Sequence, residues 1–223
     1  MDERLLTLAS LVPHCRSAAD VGADHGKLGA HLLKTGVCEF VYLTDISAPS
    51  LEKARRLVRR EGLEDRCALL VGDGLTVLPP FDAAVIAGMG APTIEHILTA
   101  GQDRIGDAKL ILEPNVGAEE LRLYLCRSGF AIEDEALTRA GGRWYVCIRA
   151  GRGRMTLTPE EALAGPALLA RKDPALPGYR DFRVRVAKKA LSGAQGRDET
   201  AARELTRELT LWEEVSRRID PCS

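Results

Sequence analysis

The sequence predicts an α/β protein: a doubly wound, mostly parallel sheet flanked by helices, followed by a smaller helical unit. Three observations predict it. Short apolar strand-like runs alternate with segments of helical period as far as residue 149. The first three runs end in glycine or aspartate: Asp20-Val21-Gly22-Ala23-Asp24-His25-Gly26, then Asp45, then Gly72-Asp73-Gly74. After Gly151-Arg152-Gly153-Arg154 the strand signals stop and only helical periodicity remains. The division expected is therefore 1–150 for the sheet domain and 151–223 for the helical one.

Each element follows from local pattern. Leu5, Leu8 and Val12 at helical spacing predict a helix over 3–12, closed by Pro13. Residues 17–21 read as the first strand and 27–35 as a helix stopped by Gly36. The second strand covers 40–45. A helix follows over 47–61, with Ser50 as its expected cap and Gly62 as its stop. Strands are expected at 67–71 and 81–87, and a helix at 92–100 with proline in its first turn. Residues 109–113 read as a strand and 118–128 as a helix ended by Gly129. Two last strands, 130–140 and 143–149, meet at Gly141-Gly142 as an antiparallel hairpin.

In the C-terminal part, 159–170 reads as one helix, and Pro174 and Pro177 read as breaks. Two longer helices are expected at 179–191 and 199–219. Ala201, Leu205, Glu208, Trp212, Val215 and Ile219 follow the 4-3 spacing of a coiled-coil seam, with Glu208 as its one polar member. Tyr179, Phe182, Val186 and Leu191 offer an apolar face on the preceding helix. The linker 192–196 is short enough to fold the two antiparallel.

Composition bounds the function. The chain has 223 residues, 45% hydrophobic and 28% charged, which fits a globular domain plus an appendage. No apolar run is long enough for a membrane span, and the N-terminus lacks the organisation of a signal peptide, so a cytoplasmic protein is expected. The six cysteines are scattered without a CxxC pair or a Cys/His cluster, so reduced thiols and no metal site are expected. His14, His31 and His96 show no partner pattern and read as structural. The net charge of −1 hides an asymmetry. Residues 149–197 hold 11 basic and 4 acidic side chains, a net of +7, whereas residues 1–148 hold 16 and 21, a net of −5. A cationic segment of this kind points either to a polyanion partner or to a solvated basic face.

The turn at residues 20–26 removes side-chain bulk where backbone must approach a ligand, and a helix start faces it. It is not a GxGxxG turn. Asp20, Asp24 and Asp45 would repel a pyrophosphate, which disfavours a dinucleotide cofactor. Carboxylates suit a cationic ligand that carries an amine and a ribose, as S-adenosylmethionine does. Asp45, with Ile46 beside it, is placed for the ribose hydroxyls, and Asp73-Gly74 for the adenine amine. Gly88-Met89-Gly90 after the fourth strand would flank the adenine and the methyl group. Gly22, Ala23 and Gly26 complete the expected cofactor set.

At Arg4-Leu5, Ala19-Asp20-Val21-Gly22-Ala23-Asp24-His25, Gly72-Asp73-Gly74-Leu75, Ile86-Ala87-Gly88-Met89-Gly90, Leu112-Glu113-Pro114-Asn115 and Tyr145, the chain resembles the bacterial TrmK family of tRNA (adenine(22)-N1)-methyltransferases. The resemblance runs from about residue 4 to 150 and continues weakly through the C-terminal helices. It implies a class I, Rossmann-like fold that uses S-adenosyl-L-methionine, a C-terminal coiled coil, and tRNA as substrate. Three positions depart from the family: Ala91 where glycine is common, Glu113 where glutamine is common, and Val146 where an acidic residue is common. Ala91 is expected to add a methyl group near the target base.

Within that reading Asp24 and Asn115 are the catalytic candidates. Asp24 has two other possible roles, the methionine amine and the turn itself; Asn115 has one, capping the next helix. His25 serves either the base or a structural hydrogen bond, and Arg4 either a phosphate or the open surface. Arg149, Arg152, Arg154, Arg183, Arg185, Lys188 and Lys189 are expected to hold the RNA backbone. Arg55, Arg56, Arg59 and Arg60 form a second basic group on an outer helix. Only 4% of residues are aromatic, which fits recognition of folded RNA better than a stacking platform for long single strands. Two alternatives to a tRNA methyltransferase are a small-molecule methyltransferase and an inactive cofactor-binding interaction module. A monomer is expected.

Overall fold

The computed structural model describes residues 1–219. Cys222, one of the six expected free thiols, and the end of the 151–223 division lie outside the described residues. The chain divides into two compact units, Met1–Met155 and Thr156–Ser223.

In the first unit α1 (Glu3–Leu11) opens on Asp2, whose carboxylate accepts the Leu5 N–H at 2.9 Å. There follow β1 (Cys15–Val21), α2 (Lys27–Lys34), β2 (Cys38–Asp45), α3 (Ala48–Arg60) and β3 (Cys67–Val71). After an extended connection come β4 (Ala83–Met89), α4 (Ala91–Ala100), the short α5 (Gln102–Ile105), β5 (Lys109–Pro114) and α6 (Ala118–Arg127). The unit closes with the hairpin β6 (Phe130–Ala140) and β7 (Arg143–Arg152). The sheet order is β3-β2-β1-β4-β5-β7-β6. The first five strands run parallel, and β7 runs antiparallel to both β5 and β6. The order reverses between β1 and β4, and in an open α/β sheet the crevice at that reversal is where ligands bind. Central strands read as apolar runs because both faces are covered: Ala18, Leu43, Val85 and Ile111 are all essentially without exposure.

Several element ends differ from the sequence expectation. β1 and β2 begin two residues early, at cysteines, because each pairs with the other from its first residue. Ser47, not Ser50, caps α3: its hydroxyl accepts the Ser50 N–H at 3.3 Å, and Pro49 falls in the first turn, where no N–H is needed.

The second unit holds α7 (Pro159–Ala164), α8 (Pro166–Ala170), α9 (Leu176–Ala194) and α10 (Glu199–Ile219). The single helix expected over 159–170 is two, because Gly165-Pro166 interrupts it: Gly165 has φ of 103° and Pro166 cannot donate back. Pro177 does not break a helix but opens α9 from its first turn, so α9 is longer than expected at both ends. On α9 Tyr179 is buried as expected and Phe182 and Leu191 are partly buried, but Val186 is 46% exposed, and Leu176 and Ala187 are buried as well. On α10 Trp212 and Val215 are fully buried, and Ala201, Leu205, Glu208 and Ile219 are partly buried. Glu208 is satisfied there by Arg183 at 2.7 Å and by the Trp212 indole N–H at 3.2 Å.

Candidate cofactor and substrate crevice

At the C-terminal ends of β1, β2 and β4 two cavities share a wall made of Val21, Gly22 and Ala87. The turn after β1 is built by backbone: the N–H groups of Gly22 and Ala23 both donate to the Thr44 carbonyl, at 2.8 and 3.0 Å. Gly22 has φ of 72°, and a Cβ there would stand 2.5 Å from the Met89 methyl carbon. The positive φ favours glycine, and any side chain there would also have to displace the Met89 methyl group.

The smaller cavity, about 230 Å3, is lined by Arg4, Asp20, Ala23, Asp24, His25 and Lys27 among others. Asp20 is 7% exposed and accepts the Gly29 N–H at 3.2 Å. Burial pushes its carboxyl up to about 6, although the Gly29 bond and the Arg4 charge oppose this. A carboxylate in that state gains from any cation that enters beside it. Asp24 has φ of 42° and lies at the mouth. Burial works against its charged form, but hydrogen bonds from Lys53 at 3.1 Å and from the His25 ring outweigh it and hold the carboxyl below its usual value. Lys53 was not foreseen as part of this site; it comes from α3, 29 residues away.

The larger cavity, about 350 Å3, gathers Thr44, Asp45, Ile46, Asp73, Gly74, Gly88 and Met89, with Thr93, His96 and Ile97 from α4. Asp45 ties the turns together, accepting the Ser47 N–H at 2.8 Å and the Asp24 N–H at 3.3 Å. Ile46 is 76% exposed and offers an apolar face at the rim. His96, read from sequence as structural, is an exposed member of this lining. No sequence pattern marks it, since it is simply one turn beyond Pro92 on α4. Gly26 and Gly90 sit one step back, as N-caps of α2 and α4.

The side chains fit a cation with a ribose and a purine. The smaller cavity is acidic at the right end for an ammonium. The larger one combines carboxylates with the apolar Ile46, Met89 and Ile97. A pyrophosphate would meet Asp20, Asp24 and Asp45 instead.

Beyond β4, two loops are joined by backbone bonds from Asn115 to Met89 at 2.7 Å and from Ala91 to Val116 at 3.0 Å. Asn115 is exposed here, and α6 is capped by Gly117 without a side-chain bond, so Asn115 is not the helix cap. Ala91 does not crowd this region: it is 1% exposed and packs toward Gly117, where a Cβ would lie 2.7 Å from the Ala91 methyl. Under the loops Glu113 is completely buried; it accepts Arg4 at 2.7 Å and the Gly88 N–H at 2.9 Å. Arg4 also lies over the Tyr145 ring, 5.5 Å from its centre. Arg4 is therefore engaged within the crevice and is not on the open surface. Nothing in the local sequence links residues 109 positions apart.

The basic residues separate into two groups. In the first unit Arg149 pairs with Glu133 and Asp134, and Arg152 donates to the Gly106 and Gln102 carbonyls and covers Phe130. Arg154 is exposed. In the second unit Arg183 is held by Glu208, while Arg185, Lys188 and Lys189 stand exposed along α9. On α3, Arg55 and Arg56 pair with Glu52. Among the described residues there is no group of three or more metal-ligating side chains, and no helix is long and apolar enough to cross a membrane.

This strand order, with Gly22 and three carboxylates at the strand ends around the reversal, defines a class I, Rossmann-like methyltransferase fold. Residues 1–148 match the methyltransferase-domain family, and the chain belongs to it. Within it the chain belongs to the TrmK family. It is 33% identical over 156 residues to the tRNA (adenine(22)-N(1))-methyltransferase of Bacillus subtilis, a match covering 69% of this chain and 66% of that protein. The crystal structure of the B. subtilis m1A22 tRNA methyltransferase TrmK is similar along 99% of both chains, at 28% identity and a TM-score of 0.86. Streptococcus pneumoniae Sp1610 in complex with S-adenosyl-L-methionine is similar over 96% of this chain and 98% of its own, at 25% identity and a TM-score of 0.86.

Proposed function

We propose that this protein methylates N1 of adenine 22 in tRNA, using S-adenosyl-L-methionine as donor. The observation that carries the reading is the acidic two-part crevice at the strand reversal, in a chain similar to the B. subtilis enzyme along the full length of both. When bound, the donor supplies an electrophilic methyl group on a sulfonium. We assign its ammonium to Asp20, its ribose hydroxyls to Asp45 and its adenine to the cavity of Ile46, Asp73, Gly74, Gly88 and Met89.

Adenine N1 carries an in-plane lone pair, so the protein's task is alignment and electrostatic support. The methylated base is cationic until N6 loses a proton. Asp24 is assigned to that developing charge. With its carboxyl held down by Lys53 and His25, it is a better counter-ion than proton acceptor. Asn115 is assigned to the edge of the base. Arg154 and the exposed cations of α9, Arg185, Lys188 and Lys189, are assigned to tRNA phosphates. Arg149, Arg152 and Arg183 are occupied by carboxylates or carbonyls and are better read as internal supports. The target base has to leave its stack to reach the crevice. We place this work in the cytoplasm, with the protein acting as a monomer.

A direct test uses labelled donor with two transcripts that differ only at position 22, adenine in one and guanine in the other. Label should enter the first and not the second. Equal labelling of both would rule out this position, and labelling of neither would rule out tRNA.

A further inference from the structure

Cys15 and Cys38 open β1 and β2 and face each other in the parallel register. In-register partners lie on the same face of a sheet, and neighbouring strands run about 4.8 Å apart. That spacing falls inside the Cα separation of about 4.4–6.8 Å that a disulfide spans. The two thiols are close enough to shift each other's ionisation. Cys15 is partly exposed, and Cys38 is buried. The pair sits at the opposite ends of β1 and β2 from Asp20 and Asp45, away from the crevice.

We propose that Cys15 and Cys38 form a dithiol site for thiol–disulfide exchange, in which Cys15 attacks a low-molecular-weight disulfide and Cys38 resolves the mixed product. The other described cysteines set it apart. Burial pushes the thiols of Cys67, Cys126 and Cys147 up, that of Cys147 to about 12. At Cys15 the neighbouring Cys38 outweighs burial and the nearby Asp82 carboxylate, and holds the thiol below its usual value. Its neighbour Cys15, together with burial, pushes the Cys38 thiol up, so Cys15 is the first of the two to ionise.

The exchange balances in two steps. The Cys15 thiolate attacks one sulfur of R–S–S–R, forms a mixed disulfide and expels RS⁻. Cys38 then gives up its proton, attacks the Cys15 sulfur and expels the second RS⁻. The two protein thiols lose two electrons, and the small disulfide becomes two thiols. The new bond would close the segment 15–38, which contains α2 and the cofactor turn. In a reducing compartment it would be transient.

The test treats the reduced full chain with glutathione disulfide, followed by acid quenching, alkylation and peptide mass analysis. The expected product is a peptide pair joined through Cys15 and Cys38, lighter by the two thiol hydrogens. Cys38→Ala should trap glutathione on Cys15, and Cys15→Ala should leave Cys38 unmodified. Alkylation of Cys15 should also slow at least ~3-fold in Cys38→Ala, since Cys15 loses the neighbour that lowers its thiol. Cofactor binding, measured alongside, reports that each variant is folded. A lasting glutathione adduct in the unmutated chain, reaction first at Cys67 or Cys126, or no reaction at Cys15 would each overturn the proposal.

Discussion

Asp20 links the chemistry of the crevice to a measurable pH dependence. Its folded carboxyl sits at about 6 against an ordinary value of 3.8. A raised carboxyl favours the fold below the unfolded value, and that contribution is lost as pH rises through about 6. Above that pH the ionised group costs the empty protein about 3 kcal/mol. A cationic ligand reverses the preference, because it binds the ionised form. Donor affinity measured by calorimetry should therefore weaken about tenfold from pH 7 to pH 5, where only about a tenth of Asp20 is ionised. Asp20→Asn should flatten that profile, bind donor more weakly and melt higher than the unmutated chain at pH 7. A pH-independent affinity would remove Asp20 from the donor site. For Asp24, kinetics decide between roles: Asp24→Asn should lower kcat by about 10–100-fold while donor Kd changes less than ~3-fold. The reverse pattern would make Asp24 a donor ligand.

At the scale of elements, much was legible because it is local. Glycines and aspartates at the ends of β1, β2 and β3 mark the crevice in the sequence itself, and alternation of strand and helix marks the sheet. What local pattern does not carry is contact between distant elements. Arg4 meets Glu113 across most of the first unit, and Lys53 reaches Asp24 from α3. Ala91, next to the Gly88-Met89-Gly90 loop in sequence, turns its methyl group to Gly117. Proline has two uses that local pattern does not separate: Pro177 reads as a break between helices, but it sits in the first turn of α9 and opens it. The turn after β1 gives a prediction of its own. Gly22→Ala places a side chain at φ of 72° and against Met89, so it should lower Tm by ~2–8 °C and donor affinity at least tenfold. Donor affinity equal to that of the unmutated chain would show that the turn does not hold the donor.

For the whole molecule the charge count shows where cations concentrate but not which are free. Arg149, Arg152 and Arg183 have partners within the chain, whereas Arg154 and the α9 cluster are exposed, which is why the phosphate contacts are proposed there. Reversing Arg185, Lys188 and Lys189 together to glutamate should reduce the slope of log affinity for tRNA against log salt by about 2–3, with donor affinity unchanged. An unchanged slope would move the RNA contact elsewhere. The central claim is the regiochemistry of a single transfer. Its most direct measurement is nucleoside mass spectrometry of an unmodified tRNA transcript after incubation with donor and protein, with the fragment containing position 22 sequenced. One 1-methyladenosine per tRNA is expected, at position 22. Methylation at N6, at another nucleotide, or not at all while donor still binds would contradict it.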